Sequence, residues 1–362
     1  MKNIVEYIKE KSYYLLGGIV VVIILLIIIN ACSNSSGNKY EKIEQKMVSA
    51  AQNYYANHKK NLPKEENNTV KVTISTLIEA ELLKEVKDPN NKDQDCSGYV
   101  EVTKVGKEYS YIPFLVCKGN YEPKYLTDII KESKQDEYGN GVYEMNGEYI
   151  YRGDDVKNYV SFNNQLWRIV KIDSEGDIKL VLANYTEDEY IWDDSYNSDK
   201  QDYVGNTTDY LHTNIRKTLN NYYESNFNKD AKAKIMPKNI CIGKLKLSEE
   251  YSIEKECSII KEKEKVYLLN ATDFKNASLD SLCIKIDSPE CSNRNYLSNS
   301  KQFNTWILNS YSLNTYQMLY LNGLIGKADA SNDKSINYVI SIIKKAISIT
   351  GDGSESNPYI IK

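Results

Sequence analysis

The sequence predicts an α+β protein: an N-terminal membrane helix, a small α+β domain, then a larger mixed, β-rich domain with short helices. Three observations lead there. An apolar run from Leu15 to Ile29 follows a short segment bearing Lys2, Lys9 and Lys11. The whole chain is nonetheless polar, with a mean hydropathy of -0.55. Beyond the run, apolar residues recur at helical spacing from Tyr40 to Tyr55 and alternate at strand spacing from Leu166 to Ile172.

Residues 1–32 admit two readings. A transmembrane helix needs about 20 apolar residues, and Tyr13 to Ala31 just reaches that length. A lipoprotein signal needs a shorter core and a small residue before an acylated cysteine. Ile29, Ala31 and Cys32 fit that pattern and Asn30 fits it poorly, so Cys32 is the candidate lipidation site. Lysines on the short side place the N-terminus inside, although Glu6 and Glu10 dilute the charge. Both readings put the protein at the cell membrane with an ectodomain facing the extracellular side.

Composition narrows the rest. The 362 residues carry 46 Lys and Arg against 50 Asp and Glu, a net charge of -4, interspersed and without the basic stripe of a nucleic-acid binder. Setting Cys32 aside leaves six cysteines in three local pairs: Cys96 with Cys117, Cys241 with Cys257, and Cys283 with Cys291. An even number outside a membrane points to disulfides, and sequential pairing is the simplest of about fifteen connectivities. Closing a loop of about 15 residues is worth about 3 kcal/mol. A metal site would lack ligands, since there is no Cys-x-x-Cys and neither His58 nor His212 is near a cysteine.

The first ectodomain is expected over residues 33–128. After a Ser/Asn/Gly spacer, Tyr40, Ile43, Met47, Ala50, Ala51, Tyr54 and Tyr55 mark one helix face. Val70, Val72 and Ile74 alternate as a strand. Ser75 is the expected N-cap of a second helix carrying Leu77, Ile78, Leu82 and Leu83, ended by Asp88-Pro89. Tyr99 to Val102 and Tyr109 to Leu115 read as a hairpin turning near Gly106, with Cys96 and Cys117 at its open end.

Residues 129–140 lack apolar periodicity and read as a linker. The larger domain, 141–362, opens with short strands at Tyr149 to Tyr151 and Tyr159 to Phe162. A hairpin follows from Leu166–Ile172 through an Asp173 to Asp177 turn into Ile178 to Leu182. Ile215, Leu219, Tyr222, Tyr223 and Phe227 mark a helix facing a core. Further buried strands are expected at Val266 to Leu269 and Trp306 to Leu308, a short helix at Phe274 to Ser278, and two C-terminal strands around the Gly351-Asp352-Gly353 turn.

Two resemblances bear on this order. The Lys-rich first helix and the Thr76 to Lys84 segment resemble the headgroup of type IV pilins and pseudopilins, with Glu81-Leu82-Leu83 in place of the usual Gly-Tyr-Leu. A prepilin cleavage site is absent. The larger domain carries Leu166-Trp167-Arg168-Ile169-Val170, Leu268-Leu269-Asn270 before Asp273-Phe274, a Trp306-led strand, and Gly351-Asp352-Gly353 with Asn357-Pro358-Tyr359. It resembles a domain of uncharacterised Gram-positive surface proteins and, distantly, the C-type-lectin-like fold of sulfatase-modifying-type domains. Ser341-Ile342-Ile343 replaces the usual Arg-Pro-Val, and the Trp-Asn-Asp and Glu-Pro-Asn signatures of calcium-dependent sugar binding are missing. A lectin-like fold would imply a scaffold, not sugar binding in itself.

Catalytic motifs are thin: no Gly-x-Ser-x-Gly, P-loop or His-Glu-x-x-His occurs. Asp193, Asp194, Asn197, Asp199 and Asp202 form an oxygen-rich stretch that reads first as a solvated acidic turn and second as a candidate for Ca²⁺, without EF-hand spacing. Arg152-Gly153-Asp154 is an integrin-type triplet. Trp192, Tyr196 and Tyr203 are candidates for a stacking face toward a glycan or peptide, or equally for half-buried positions in a loop-rich core. The resulting expectation is a non-catalytic, anchored surface binding or adhesion protein without a cofactor, recognising cell-wall or host glycans or a protein. The alternative is a pseudopilin-like component of a secretion or uptake apparatus.

Overall fold

The structure, a computed structural model, describes residues 37–361 apart from 66–67, 106–107, 185–187 and 299–303. The chain divides into two units, Met1–Pro123 and Lys124–Lys362.

In the first unit a helix, Gly37–Asn57, buries Tyr40, Met47, Ala50, Ala51 and Tyr55, which recur at three and four residues. It packs on a three-stranded antiparallel sheet of Thr69–Thr73, Ser97–Val105 and Glu108–Val116. Ser97 pairs with Val116, so Cys96 and Cys117 stand just beyond the last rung. Their disulfide closes the hairpin with Cα atoms 4.4 Å apart. The buried Asp88 carboxylate accepts from the Tyr40 hydroxyl at 2.9 Å and from Asn120 Nδ2 at 2.7 Å, while the Tyr40 ring stacks on Tyr121 at 4.4 Å.

Two expectations for this region are corrected. The second helix runs only from Ile74 to Glu79, capped by Thr73 and not Ser75. It stops because Glu81 adopts a left-handed conformation at φ 53°, and the amides of Leu82 and Leu83 both turn back to the Leu77 carbonyl. The expected fold class, with a membrane helix leading into a pilin-like domain, is also overturned. Residues 1–32, including Cys32, lie outside the described residues, and among those described no helix is long and apolar enough to cross a membrane. The one long helix carries Lys39, Glu41, Lys42, Glu44 and Lys46 on its first half. The fold is instead β-rich, with strands dominating both units.

The second unit begins earlier than expected. Helix Leu126–Glu132 buries Leu126 and Ile130 in the larger core, so this stretch belongs to the unit and is no linker. An eight-stranded sheet is centred on the hairpin Gln165–Ile172 and Ile178–Leu182. On one side of the hairpin, Val339–Ile342 pairs with Ile178–Leu182 and Val266–Tyr267 pairs with Val339–Ile342. On the other lie Glu148–Arg152 and Gly141–Met145. A second, six-stranded sheet contains Thr305–Tyr311, Gln317–Asn322 and Leu324–Asp329. Helix Asn214–Asn226 turns Ile215, Leu219 and Tyr223 into the same core, where Trp167 and Trp306 are fully buried.

The remaining cysteines pair as Cys241–Cys257 and Cys283–Cys291, each with Cα atoms 4.5 Å apart. Gly243 sits inside the first loop, where a Cβ would lie 2.1 Å from the Lys255 carbonyl oxygen. Only glycine lets the two arms of that loop approach so closely. Peptide mapping without reduction is expected to recover the three sequential pairs and no other. Free thiols at these six positions, or a crossed pairing, would contradict the structure.

Candidate functional site

A cleft of about 730 Å³ opens on one face of the eight-stranded sheet. Its floor is a row of residues in direct register: Ile150 pairs with Lys171, Lys171 with Lys179, and Lys179 with Ser341. Two lysines directly opposite each other on neighbouring strands repel. Each is neutralised by its own carboxylate. Lys171 meets Glu148 at 2.8 Å, and the buried Lys179 meets the buried Asp273 at 2.6 Å.

Asp273 belongs to helix Ala271–Ala277, which forms one wall. Its Oδ2 also accepts from the Asn270 amide at 2.8 Å, capping the helix start. Burial by itself would raise the Asp273 pKa. The Lys179 ammonium, with Lys171 and the Asn270 amide, holds it below the ordinary carboxylate range.

The opposite wall is the Cys241–Cys257 segment. Glu256, 2% exposed, accepts from Thr272 Oγ1 at 2.6 Å and from the Thr272 amide at 3.1 Å, pinning the disulfide loop to the helix N-terminus. Tyr251 shares a hydrogen bond with the same Thr272 hydroxyl. Burial pushes Glu256 up to about 7; the Thr272 bonds oppose the rise and the nearby Asp273 adds to it. Asn270 Nδ2 donates to the Cys241 carbonyl at 2.7 Å, a second tie between the walls.

At one end, Lys238 Nζ contacts Asp173, Glu175 and Asp177 at 2.8, 2.5 and 2.7 Å. Burial would lower the Lys238 pKa, and the three carboxylates raise it above its usual value. Among the described residues these acids are the one group of three close enough to share an ion. The ammonium already supplies their counter-charge. Lys275 also lines the cleft, and its pKa is lowered by burial and then by repulsion from Arg152.

Apart from Cys241, Cys257 and Arg152, none of these residues stood among the sequence candidates, most of which the structure places elsewhere. Trp192 is 2% exposed and packs edge-on against Trp306 at 6.1 Å, so it is core and not a stacking face. Tyr196 and Tyr203 are exposed and form an edge-to-face pair at 5.4 Å. The calcium candidates organise that loop instead. Asp193 accepts from the Asn206 amide, Asp194 from Asn214, Asp199 from Thr315, and Asp202 from the Tyr203 amide. Asn197 is held by Gly205 and Thr315. In the Arg-Gly-Asp triplet, Arg152 turns inward to the Ser278 carbonyl, which does not display the motif. His58 stacks on Tyr54 and His212 pairs with Asp209, both on the surface. Only the paired spacing of Cys241 and Cys257 marked this region in advance.

Removing one partner of a buried ion pair leaves an uncompensated charge. Asp273→Asn is expected to cost about 3–5 kcal/mol in urea unfolding, and Lys179→Met added to it to recover part of the loss. A cost below about 1 kcal/mol would show that the pair does not hold the cleft. Glu256 titrates with the opposite sign. Its folded value lies above the ordinary 4.5, so its stabilising contribution is complete below that pH and is lost as pH rises through about 7. Glu256→Gln should flatten this pH dependence, by on the order of 3 kcal/mol across the window. Equal slopes for the two proteins would refute the assignment.

Comparison with protein-family models, with curated proteins and with solved structures returned no match. What this cleft does must therefore follow from its own side chains.

Proposed function

We propose that this chain is an exported, non-catalytic binding protein of the bacterial surface, attached at the membrane through its N-terminal segment with Cys32 as the candidate lipid site. Its ligand sits in the cleft above the Lys171–Lys179 row. The observation that carries this reading is the construction of the cleft. Its walls are tied to each other by Asn270, Glu256 and Thr272, and one wall is closed by a disulfide. A pre-organised polar surface of this kind loses little order on binding. Three sequential disulfides support an oxidising compartment.

One feature favours a second reading, acid–base catalysis: burial pushes the Glu256 carboxyl up to about 7. Both of its oxygens already accept from Thr272, and the group is almost fully buried. That arrangement suits a structural tie better than a proton shuttle, which must reach its substrate.

The full-length protein should be tested against cell-wall fragments, host glycans and peptide arrays. Asn276 lines the cleft and makes no side-chain hydrogen bond among the described residues, so Asn276→Trp blocks the space without breaking a contact. It is expected to weaken binding about tenfold or more, the equivalent of about 1.4 kcal/mol. Tyr203→Ala, at the exposed aromatic pair, should leave binding unchanged. The reverse result would move the site to Tyr196 and Tyr203, and no binding to any class would sink the proposal.

A further inference from the structure

The cleft distributes its charge unevenly. Lys171, Lys179 and Lys238 each hold a carboxylate within 2.8 Å. Lys275 lines the cleft, and Arg152 follows the lining residues Glu148 and Ile150 on the same face of strand Glu148–Arg152; neither cation forms an ion pair among the described residues. Arg152 donates from Nε and Nη2 to the Ser278 carbonyl at 3.1 and 2.6 Å. Its Nη1 donates only to the Met145 sulfur at 3.8 Å, a weak acceptor, and the guanidinium lies over the Tyr143 ring, 5.2 Å from its centre. Lys275 Nζ lies 5.6 Å from the centre of the Tyr251 ring.

Burial and then repulsion from Arg152 lower the Lys275 pKa, and burial lowers that of Arg152. The exposed Glu250 offsets the repulsion on Lys275 more weakly than Arg152 imposes it. The C-terminal end of helix Ala271–Ala277 returns some of this cost, since its free carbonyls favour a cation. That gain accounts for Arg152 at the Ser278 carbonyl. It does not account for a second cation beside it, half-buried and facing a polar cleft.

We propose that Arg152, beside the lining residue Met145, and Lys275 form an oxyanion subsite at the edge of the cleft, which receives a carboxylate or phosphate group of a small polar ligand. The Nη1 donor and the lysine ammonium supply charge-assisted hydrogen bonds to that group. Tyr251, beside Lys275, and Thr272 and Asn276, which also line the cleft, contact the uncharged remainder. This inference rests on the reading of the cleft as the ligand site and adds the charge of the ligand to it.

The test is NMR of the full-length protein with ¹³Cε-labelled lysine, titrated separately with acetate and with inorganic phosphate against chloride at matched ionic strength. The Lys275 signal, assigned through Lys275→Gln, is expected to shift saturably, and its pKa to rise by about one unit as a counter-charge arrives. Lys171 and Lys179, already paired, should stay still. Arg152→Gln should weaken the response about tenfold, while Lys275→Arg should preserve anion-dependent thermal stabilisation. A response to acetate alone assigns a carboxylate, and to phosphate alone a phosphate. A Lys275 signal that follows chloride equally, or an Arg152→Gln protein that titrates unchanged, overturns the subsite. If Lys275 ignores both anions while Asn276→Trp still abolishes binding of a neutral ligand, the subsite falls and the cleft stands. If Lys275 titrates while Asn276→Trp is harmless to ligand binding, the subsite stands and the cleft reading falls.

Discussion

Asp273 accepts from the Lys179 ammonium and from the Asn270 amide through the same oxygen. One buried carboxylate thereby neutralises a lysine of the sheet and starts the helix that stands over it. The helix carries Thr272, which holds Glu256 and with it the disulfide loop, and Lys275, which faces the open space. The floor, both walls and the charge at one end thus trace back to a single contact between a strand and a helix. A charge pair so deep is costly to desolvate, and its geometry is satisfied by several partners at once.

The arrangement also explains why the cleft is polar without being soft. A lysine in the middle of a buried strand would ordinarily be excluded, yet Lys179 is tolerated because its carboxylate arrives from above. The same logic recurs at the hairpin turn, where Lys238 gathers three carboxylates from Asp173, Glu175 and Asp177. With the cleft's other lysines held by acids, the cations beside Ser278 become conspicuous. Local neutrality is the pattern, and Arg152 with Lys275 is the departure from it.

The disulfides divide the mechanical work differently in the two units. Cys96–Cys117 closes a hairpin already paired along its whole length, so it secures register at the open end. Cys241–Cys257 closes a loop with little regular structure of its own. There the crosslink restricts the unfolded chain, and the contacts from Gly243, Glu256 and Asn270 give the loop a defined shape. A wall built from such a segment would otherwise be among the first parts to open.

Much of the fold was legible beforehand, and the cleft was not. The hairpin through Trp167 and Leu182 showed itself by alternation, helix Asn214–Asn226 by its period, and the crosslinks by short cysteine spacing, because each depends on residues near one another in sequence. The fate of Trp192 depends on Trp306, over a hundred positions away, and an aromatic residue looks the same on a surface or in a core. The Asp193 to Asp202 stretch advertised oxygen ligands, but its oxygens answer to amides and hydroxyls that only the folded loop brings near. Lys179 and Asp273 are separated by 94 positions and neither is unusual in its local setting. Periodicity, turn chemistry and loop closure are written into neighbouring residues. The partnering of buried charges is a long-range choice, settled when strand and helix are packed face to face.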